Sequence, residues 1–528
     1  MPRKPTLLLI LTLLFASCAG PTTGEILPAT PTSAPPVESG APVFYEIFVR
    51  SFYDSNGDGV GDFNGMTQKL DYIQALGVSG VWLMPIFPSP SYHGYDVTDY
   101  YNVNADYGTM EDFKNFLSAA HQRNIRVIID LPLNHTSDKH AWFKEAKNPN
   151  SPYRNWYIWK ETDPKYNGPW GQDVWHPSMS GFYYGIFTAQ MPDLNYRNDE
   201  VTAEMLKVTR YWLTDVGVDG YRLDAVKHLI EQVEQQQNTI DTHIWLKDKF
   251  YPAVKAANPS AYVVGELFGD SLDTISLYTK GKQFDAAFHF QLADAILKSI
   301  NLQNGAYLAD MLQATAQKLP PESYAPFITN HDQDRAMNQL YNKVERAKLA
   351  AFLLLTSPGT PFIYYGEEIG MTGKKPDEDI RRPMQWSAEK NAGFSTGKAW
   401  RAPAQDYEFV NVSFEEENAD SLLNHYRSLI QLRNERPVLY DGSVTVLQTS
   451  DPAVYAVLRQ NENETLLILA NLKNEDVSDY QIQLEQGAQA SGVETLFGGG
   501  EAKTPQGSEY QPFGALAANS MYILKFLP

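Results

Sequence analysis

The sequence predicts a closed parallel (β/α)8 TIM barrel, with a small domain inserted after the third strand and a β-sandwich at the C-terminus. Three observations lead there. Between residues 43 and 370, eight short apolar runs alternate with helical patterns. After the third run that alternation is interrupted by over sixty residues (136–198) dense in Trp, Tyr, Pro and Gly, too long for a plain loop. Beyond about residue 437 the pattern changes to short alternating strands such as VYAVLRQ, TLLILANL and MYILKFL. Strand–helix alternation repeated that many times points to a barrel. A doubly wound open sheet competes, but no GxGxxG follows the first strand.

In chain order, VFYEIFVRSF (43–52) reads as a buried strand, followed by DSNGDGVGDFNG and a helical pattern to Leu76. GVSGVWLMPI (77–86) is the second strand. A helix over 109–124 leads to the third, IRVIIDLPLNH (125–135). Helices near 200–215 and 245–257 flank a fourth strand at 218–226, and AYVVGEL (261–267) is the fifth. FDAAFHF (284–290), SYAPFITNHD (323–332) and TPFIYYGEEIG (360–370) complete the set, with helices between them. The barrel is thus expected in two parts, 43–135 and 199–437, with the insertion at 136–198 and the β domain at 438–528.

Composition narrows the partners. A formal net charge of −20 over 528 residues argues against nucleic acid or an anionic membrane surface. The 31 Tyr and 10 Trp suit sugar rings as well as cores. The single cysteine, Cys18, excludes an intrachain disulfide. Arg3 and Lys4 precede the apolar run Leu7–Phe15, a short export signal. Its ending, FASC, resembles a bacterial lipoprotein cleavage box. Residues 1–18 are therefore expected to be a signal peptide, and 19–42, rich in Pro, Thr, Ser and Ala, a tether. The chain is expected to be a monomer that touches a membrane only through an N-terminal lipid, at the outer cell surface or the periplasmic face, or to be released outside the cell.

Chemistry concentrates at the ends of the expected strands, where barrel enzymes place it. The fourth carries GYRLDAVKH (220–228): Arg222 and Asp224, two apart, project from one face of a strand, so the guanidinium can keep the carboxylate ionised. The third ends in Asp130, Asn134 and His135, the fifth in Glu266, and the seventh in Asn330, His331 and Asp332.

DLPLNH, GYRLDAVKH, VVGEL and FITNHD resemble the four ordered motifs of the α-amylase family of glycoside hydrolases, and MPDLN (191–195) resembles a fifth. The resemblance implies Asp224 as nucleophile, Glu266 as general acid/base and Asp332 as the third carboxylate. It also implies substrate contacts from Tyr95 and Asp96 in HGYD, from His135, Arg222, Lys227 and His331, and from Arg381 in RRPMQW. Retaining cleavage needs one carboxylate to attack and one carboxylic acid to donate, so their pKa values must be driven apart.

One or two Ca²⁺ sites are expected, from two candidate places. Asp54, Asn56, Asp58, Val60 and Asp62 fall on alternate positions among tight-turning glycines, as an oxygen-ligated cation prefers. The loop is not an EF-hand, because Gly65 stands at position twelve. It resembles a Ca²⁺ loop of relatives acting on short α-glucosides. The second site, by resemblance to α-amylases, joins Asn134, Asp193 and the His228 carbonyl with a carboxylate from the insertion, Asp173. DSNGDG, MPDLN and RRPMQW resemble the oligo-1,6-glucosidase branch, whereas Ala225 and Lys227–His228 resemble true α-amylases. The expected activity is hydrolysis of α-1,4-glucosidic bonds in starch, glycogen or maltodextrin, with some transglycosylation. Exo-acting α-glucosidase, oligo-1,6-glucosidase or 4-α-glucanotransferase action is the alternative. A non-catalytic glycan-binding lipoprotein fits poorly, since all three carboxylates are present.

Overall fold

The computed structural model describes residue 1 and residues 42–231, 237–484 and 490–528. The expected signal (1–18) and nearly all of the tether (19–42), Cys18 included, lie outside the described residues.

Eight parallel strands form one sheet: β1 (Phe44–Ile47), β2 (Gly80–Leu83), β3 (Arg126–Leu131), β4 (Gly220–Leu223), β5 (Tyr262–Gly265), β6 (Ala286–Phe288), β7 (Tyr324–Ala325) and β8 (Phe362–Tyr364). Their order is β7-β6-β5-β4-β3-β2-β1-β8. Hydrogen bonds from Thr360 N to Tyr324 O (3.1 Å) and from Phe362 N to Pro326 O (2.9 Å) bring β8 back beside β7 and close the ring. Each strand is shorter than its apolar run suggests. The polar ends of the runs, such as Asn134–His135 and Asn330–Asp332, leave the sheet as loops, and Val49–Phe52 of the first run is a helical turn.

Alternation along the strands builds two cores. Phe44, Trp82, Ile128, Val264, Ala286, Phe288 and Phe362 point inward and fill the barrel, with Phe44 and Phe362 stacked at 4.9 Å. Tyr45, Ile47, Val127, Ile129, Tyr221 and Leu223 point outward into the larger core beneath the helices. The helices start where side chains cap them. Thr109 and Asp112 form a capping box for Met110–His121, and Asn198 caps Asp199–Tyr211. Asp219 pins the register of β3 and β4, its Oδ2 accepting from Val127 N (2.7 Å).

Between β3 and β4 lies a three-stranded antiparallel sheet of Trp159–Lys160, Gly181–Tyr184 and Trp175–Ser178. At the C-terminus, a five-stranded antiparallel sheet (Ser443–Val446, Val454–Gln460, Thr465–Asn471, Met521–Leu527, Gly492–Phe497) accompanies a second sheet of three short strands.

Two buried arginines tie this region to the barrel. Arg433 donates to the carbonyls of Leu355 (2.6 Å), Ser357 (2.8 Å), Leu439 (3.1 Å) and Gly359 (2.6 Å). Arg459 reaches those of Thr356 (2.6 Å), Leu439 (3.0 Å) and Gly442 (3.0 Å). The helix Val344–Thr356 ends here, and its last carbonyls have no partner within the helix. Replacing Arg433 with Met is expected to orphan these buried carbonyls and cost about 3 kcal/mol or more. Scanning calorimetry should show a lower unfolding temperature, and an unchanged one would refute the arginine's role as a clasp.

Candidate active site

The site is built on β4. Arg222 points inward, 1% exposed, and pairs with Asp130, which faces it across the β3–β4 register. Its Nη1 donates to Asp130 Oδ1 and Oδ2 (3.0 and 2.9 Å) and to Asp224 Oδ1 (2.7 Å). Its Nη2 lies 2.8 Å from Glu266 Oε2. Val264 is the register partner of Arg222 on β5, so Glu266, two residues further, emerges on the same side just past the strand end. One guanidinium therefore organises three carboxylates from three strands. Its carbon also sits 5.2 Å from the Trp82 ring and 5.9 Å from the Tyr95 ring.

The residue after Asp224 makes the turn. Ala225 adopts φ +48°, a left-handed conformation that costs a non-glycine residue about 1 kcal/mol. In return its N–H points at Glu266 Oε2, 3.3 Å away. Across the cavity, Asp332 accepts from Arg381 Nη2 (2.8 Å) on Oδ1, and its Oδ2 lies 3.2 Å from His331 Nε2. Arg381 Nε donates to the His331 carbonyl (2.9 Å), fixing both ends of that turn.

The environments drive the carboxyl pKa values apart. Burial raises Glu266, with Arg222 opposing and Asp224 and Asp332 adding to the rise. Burial also works against ionising Asp332, but His331 and Arg381 outweigh it and hold that carboxyl well below the usual range. Burial pushes Asp130 up to about 7 despite Arg222. His135 is pushed down to about 4, chiefly by burial, and is a neutral imidazole at neutral pH.

Asp224, Glu266, Asp332, Tyr95, His135, Lys227 and Arg381 line one cavity of about 500 Å³. Arg222 lies beneath it. Two expected contacts are elsewhere. Asp96 is not part of the wall itself: its carboxylate accepts from Ser89 Oγ (2.6 Å) and Ser91 Oγ, beside the wall residues His93 and His135. His331 is fully buried behind the wall, between Tyr95, Asp332 and Glu46. Sequence reasoning missed His93, Trp170, Phe187 and Phe268 on the cavity wall. His93 adjoins the HGYD motif and could have been flagged, whereas Trp170 and Phe268 lie in irregular stretches with no periodic signal.

The first candidate metal loop is knit by its own oxygens. Asp54 Oδ1 accepts from Asn56 N (3.0 Å) and Gly57 N (2.7 Å), and its Oδ2 from Gly59 N (2.8 Å). Asn56 Oδ1 accepts from Asp58 N (2.9 Å), Asp58 Oδ1 from Val60 N (2.8 Å), and Asp62 from Ser55 N (2.9 Å) and Gly65 N (2.7 Å). Asp54 and Asp62 are buried while Asp58 is exposed. At the second, Asn134 and Asp193 come together, since Leu194 N donates to Asn134 O (2.9 Å). Asn134 Oδ1 is buried and unpartnered. Asp173 does not join them. It is exposed on the rim of the insertion, paired through its backbone to Asn167. The carboxylate near Asp193 is instead Glu231, which accepts from Tyr184 Oη and lies 2.5 Å from His228 Nδ1. Among the described residues, no three Asp, Glu, His or Cys side chains converge as a metal cluster. The donors on offer at both places are amide, carboxylate and backbone oxygens, a hard set that fits Ca²⁺.

A parallel barrel with three carboxylates and an aromatic ring at the C-terminal mouth defines a barrel-type glycoside hydrolase. Comparison with known proteins agrees. Residues 46–442 match the α-amylase family's "Alpha amylase, catalytic domain". The chain is 40% identical over 437 residues to alpha-amylase 3 of Dictyoglomus thermophilum, covering 81% of this chain and 84% of that one. It is 33% identical over 515 residues to an oligo-1,6-glucosidase of Heyndrickxia coagulans, covering 83% and 92%. The crystal structure of an α-amylase from H. orenii superposes with a TM-score of 0.82 at 40% identity, covering 93% of this chain and all of that one. The chain belongs to the α-amylase family of glycoside hydrolases.

Lysine in place of Arg222 keeps a positive charge but cannot bridge Asp224 and Glu266 from two nitrogens at once. Arg222→Lys is expected to lower kcat on maltodextrin by about 100-fold or more. A near-wild-type kcat would show that a point charge is enough.

Proposed function

We propose that this enzyme cleaves α-1,4-glucosidic bonds in starch, glycogen or maltodextrins with retention, through a glycosyl-enzyme, and passes part of its product to sugar acceptors. The observation that carries the reading is the shared guanidinium. Holding Asp224 and Glu266 on one Arg222 keeps the two carboxyl groups close, which suits the retaining separation of roughly 5–5.5 Å better than the wider inverting one.

In this mechanism the sugar before the scissile bond lies on Tyr95, with His135 and Arg381 beside it. Asp224, its charge steadied by Arg222, attacks the anomeric carbon as Glu266 gives its proton to the leaving oxygen. Glu266 then takes a proton from water, or from a sugar hydroxyl, as that oxygen attacks the same carbon and the bond to Asp224 breaks, restoring its carboxylate. Asp332, held ionised, faces the positive charge that develops on the sugar ring. Lys227 supports a glucan that continues beyond the cleaved bond. Its Nζ donates to Phe268 O (2.7 Å), next to the exposed Phe268 ring on the Glu266 side of the cavity.

We further propose that Ca²⁺ binds the Asp54–Asp62 loop, and that Asn134, Asp193, Glu231 and the His228 carbonyl hold a second ion. There it would fasten the insertion to the barrel; it enters no chemical step.

Glu266→Gln should abolish turnover of unactivated glucan while glucan still binds, since only the proton donor is removed. Undiminished starch hydrolysis would refute the assignment. The raised pKa of Glu266 keeps the acid form to higher pH, so the alkaline limb of the wild-type kcat/KM should lie above the ordinary carboxyl range. Chelation with EDTA should lower the melting temperature, because a ligand bound only to the native state stabilises it. No change after exhaustive dialysis would count against both ions.

A further inference from the structure

Behind the wall of the cavity, His331 is enclosed by hydrogen-bond acceptors. Its Nδ1 lies 2.6 Å from Oε1 of Glu46, a 2% exposed carboxylate on β1. Its Nε2 lies 2.7 Å from the Tyr95 hydroxyl and 3.2 Å from Asp332 Oδ2. The Tyr95 hydroxyl has one proton and lies within reach of both Asp130 Oδ2 (3.0 Å) and His331 Nε2, so when it donates to Asp130 it accepts from His331. A carboxylate only accepts. Protons on both ring nitrogens then satisfy Glu46, Tyr95 and Asp332 at once.

We propose that Glu46 is a positioning residue that holds His331 as an imidazolium, and that this cation in turn orients Asp332 and Tyr95 for the sugar. The inference rests on the reading of Asp332 as the third carboxylate. Glu46 lies in none of the motifs; in VFYEIF it is a lone acid in an apolar strand. Its place comes from the barrel, which sets it opposite Trp82 on β2 and Tyr364 on β8 with its side chain facing inward.

The surrounding charges agree. Burial opposes a charged imidazole, but Asp332 and Glu46 outweigh it and raise His331 to about 10. Asp130 adds a further carboxyl on the Tyr95 side. The cations nearby are Arg222, which reaches the Tyr95 hydroxyl at 3.4 Å, and Arg381, which binds the His331 carbonyl. The Trp82 ring packs edge-on at 5.5 Å, and Tyr364 and Glu367 complete the surroundings of Glu46. Glu46 and His331 are both enclosed by packing, so loss of the Glu46 charge would be felt at Asp332 through a single imidazole.

The test is a ¹⁵N-histidine NMR titration of the full enzyme, with the His331 signal assigned by its loss in His331→Asn. In the wild type, both His331 nitrogens should remain protonated at about pH 8, above the ordinary histidine range. In Glu46→Gln, whose amide oxygen still accepts from Nδ1, the transition should fall by at least about one pH unit. The alkaline decline of kcat on maltoheptaose should then move to lower pH, with KM within about twofold. A neutral His331 at about pH 8 in the wild type overturns the proposal, and this holds even where the variant does not fold. An unmoved transition in folded Glu46→Gln overturns it as well. Asp332→Asn in the same assay tests the underlying reading separately: retained turnover there removes Asp332 from the reaction, whatever His331 does.

Discussion

Everything at the mouth of this barrel depends on one buried cation meeting more than one anion. Arg222 is taken out of water almost completely, a cost of several kcal/mol for an unpaired charge. Asp130, Asp224 and Glu266 offset it from three strands. The pairing works both ways. Three carboxylates crowded together would protonate or push apart without the guanidinium, and its planar fork sets the directions along which two of them lie. The chemistry that follows is a property of this cluster rather than of any one acid.

The barrel supplies the precision. Asp130 meets Arg222 because the β3–β4 register places them opposite, and Glu266 follows from Val264 by strand alternation. Each strand stops within a few residues of its functional group, so the reactive atoms sit on short loops anchored in a packed interior. The left-handed Ala225 shows how tight the fit is: backbone strain is accepted where it aims an N–H at Glu266.

Much of this was legible in the sequence. Eight apolar runs marked eight strands, and the polar residues at their ends marked the site, because strand alternation and barrel geometry are local rules. The misses have physical causes. Asp173 belongs to an insertion without periodicity, and so does Trp170. Glu231 precedes a polar run that carries no strand or helix signal, yet it is the acid beside Asp193. His331 was recognised, but its burial behind Tyr95 depends on β1, a segment 285 residues away. Long-range adjacency of that kind is written in the closure of the sheet and not in any window of the chain.

That closure has a consequence for biogenesis. β1 is hydrogen-bonded on one side to β2, its near neighbour, and on the other to β8. On a growing polypeptide the first strand would therefore wait with one flank bare until nearly the whole barrel had been synthesised. Phe44 and Glu46 would meanwhile lack the lid that buries them. Such nonlocal pairing is slow and exposes sticky edges. A barrel that cannot shut early stays an open sheet until its last strand arrives.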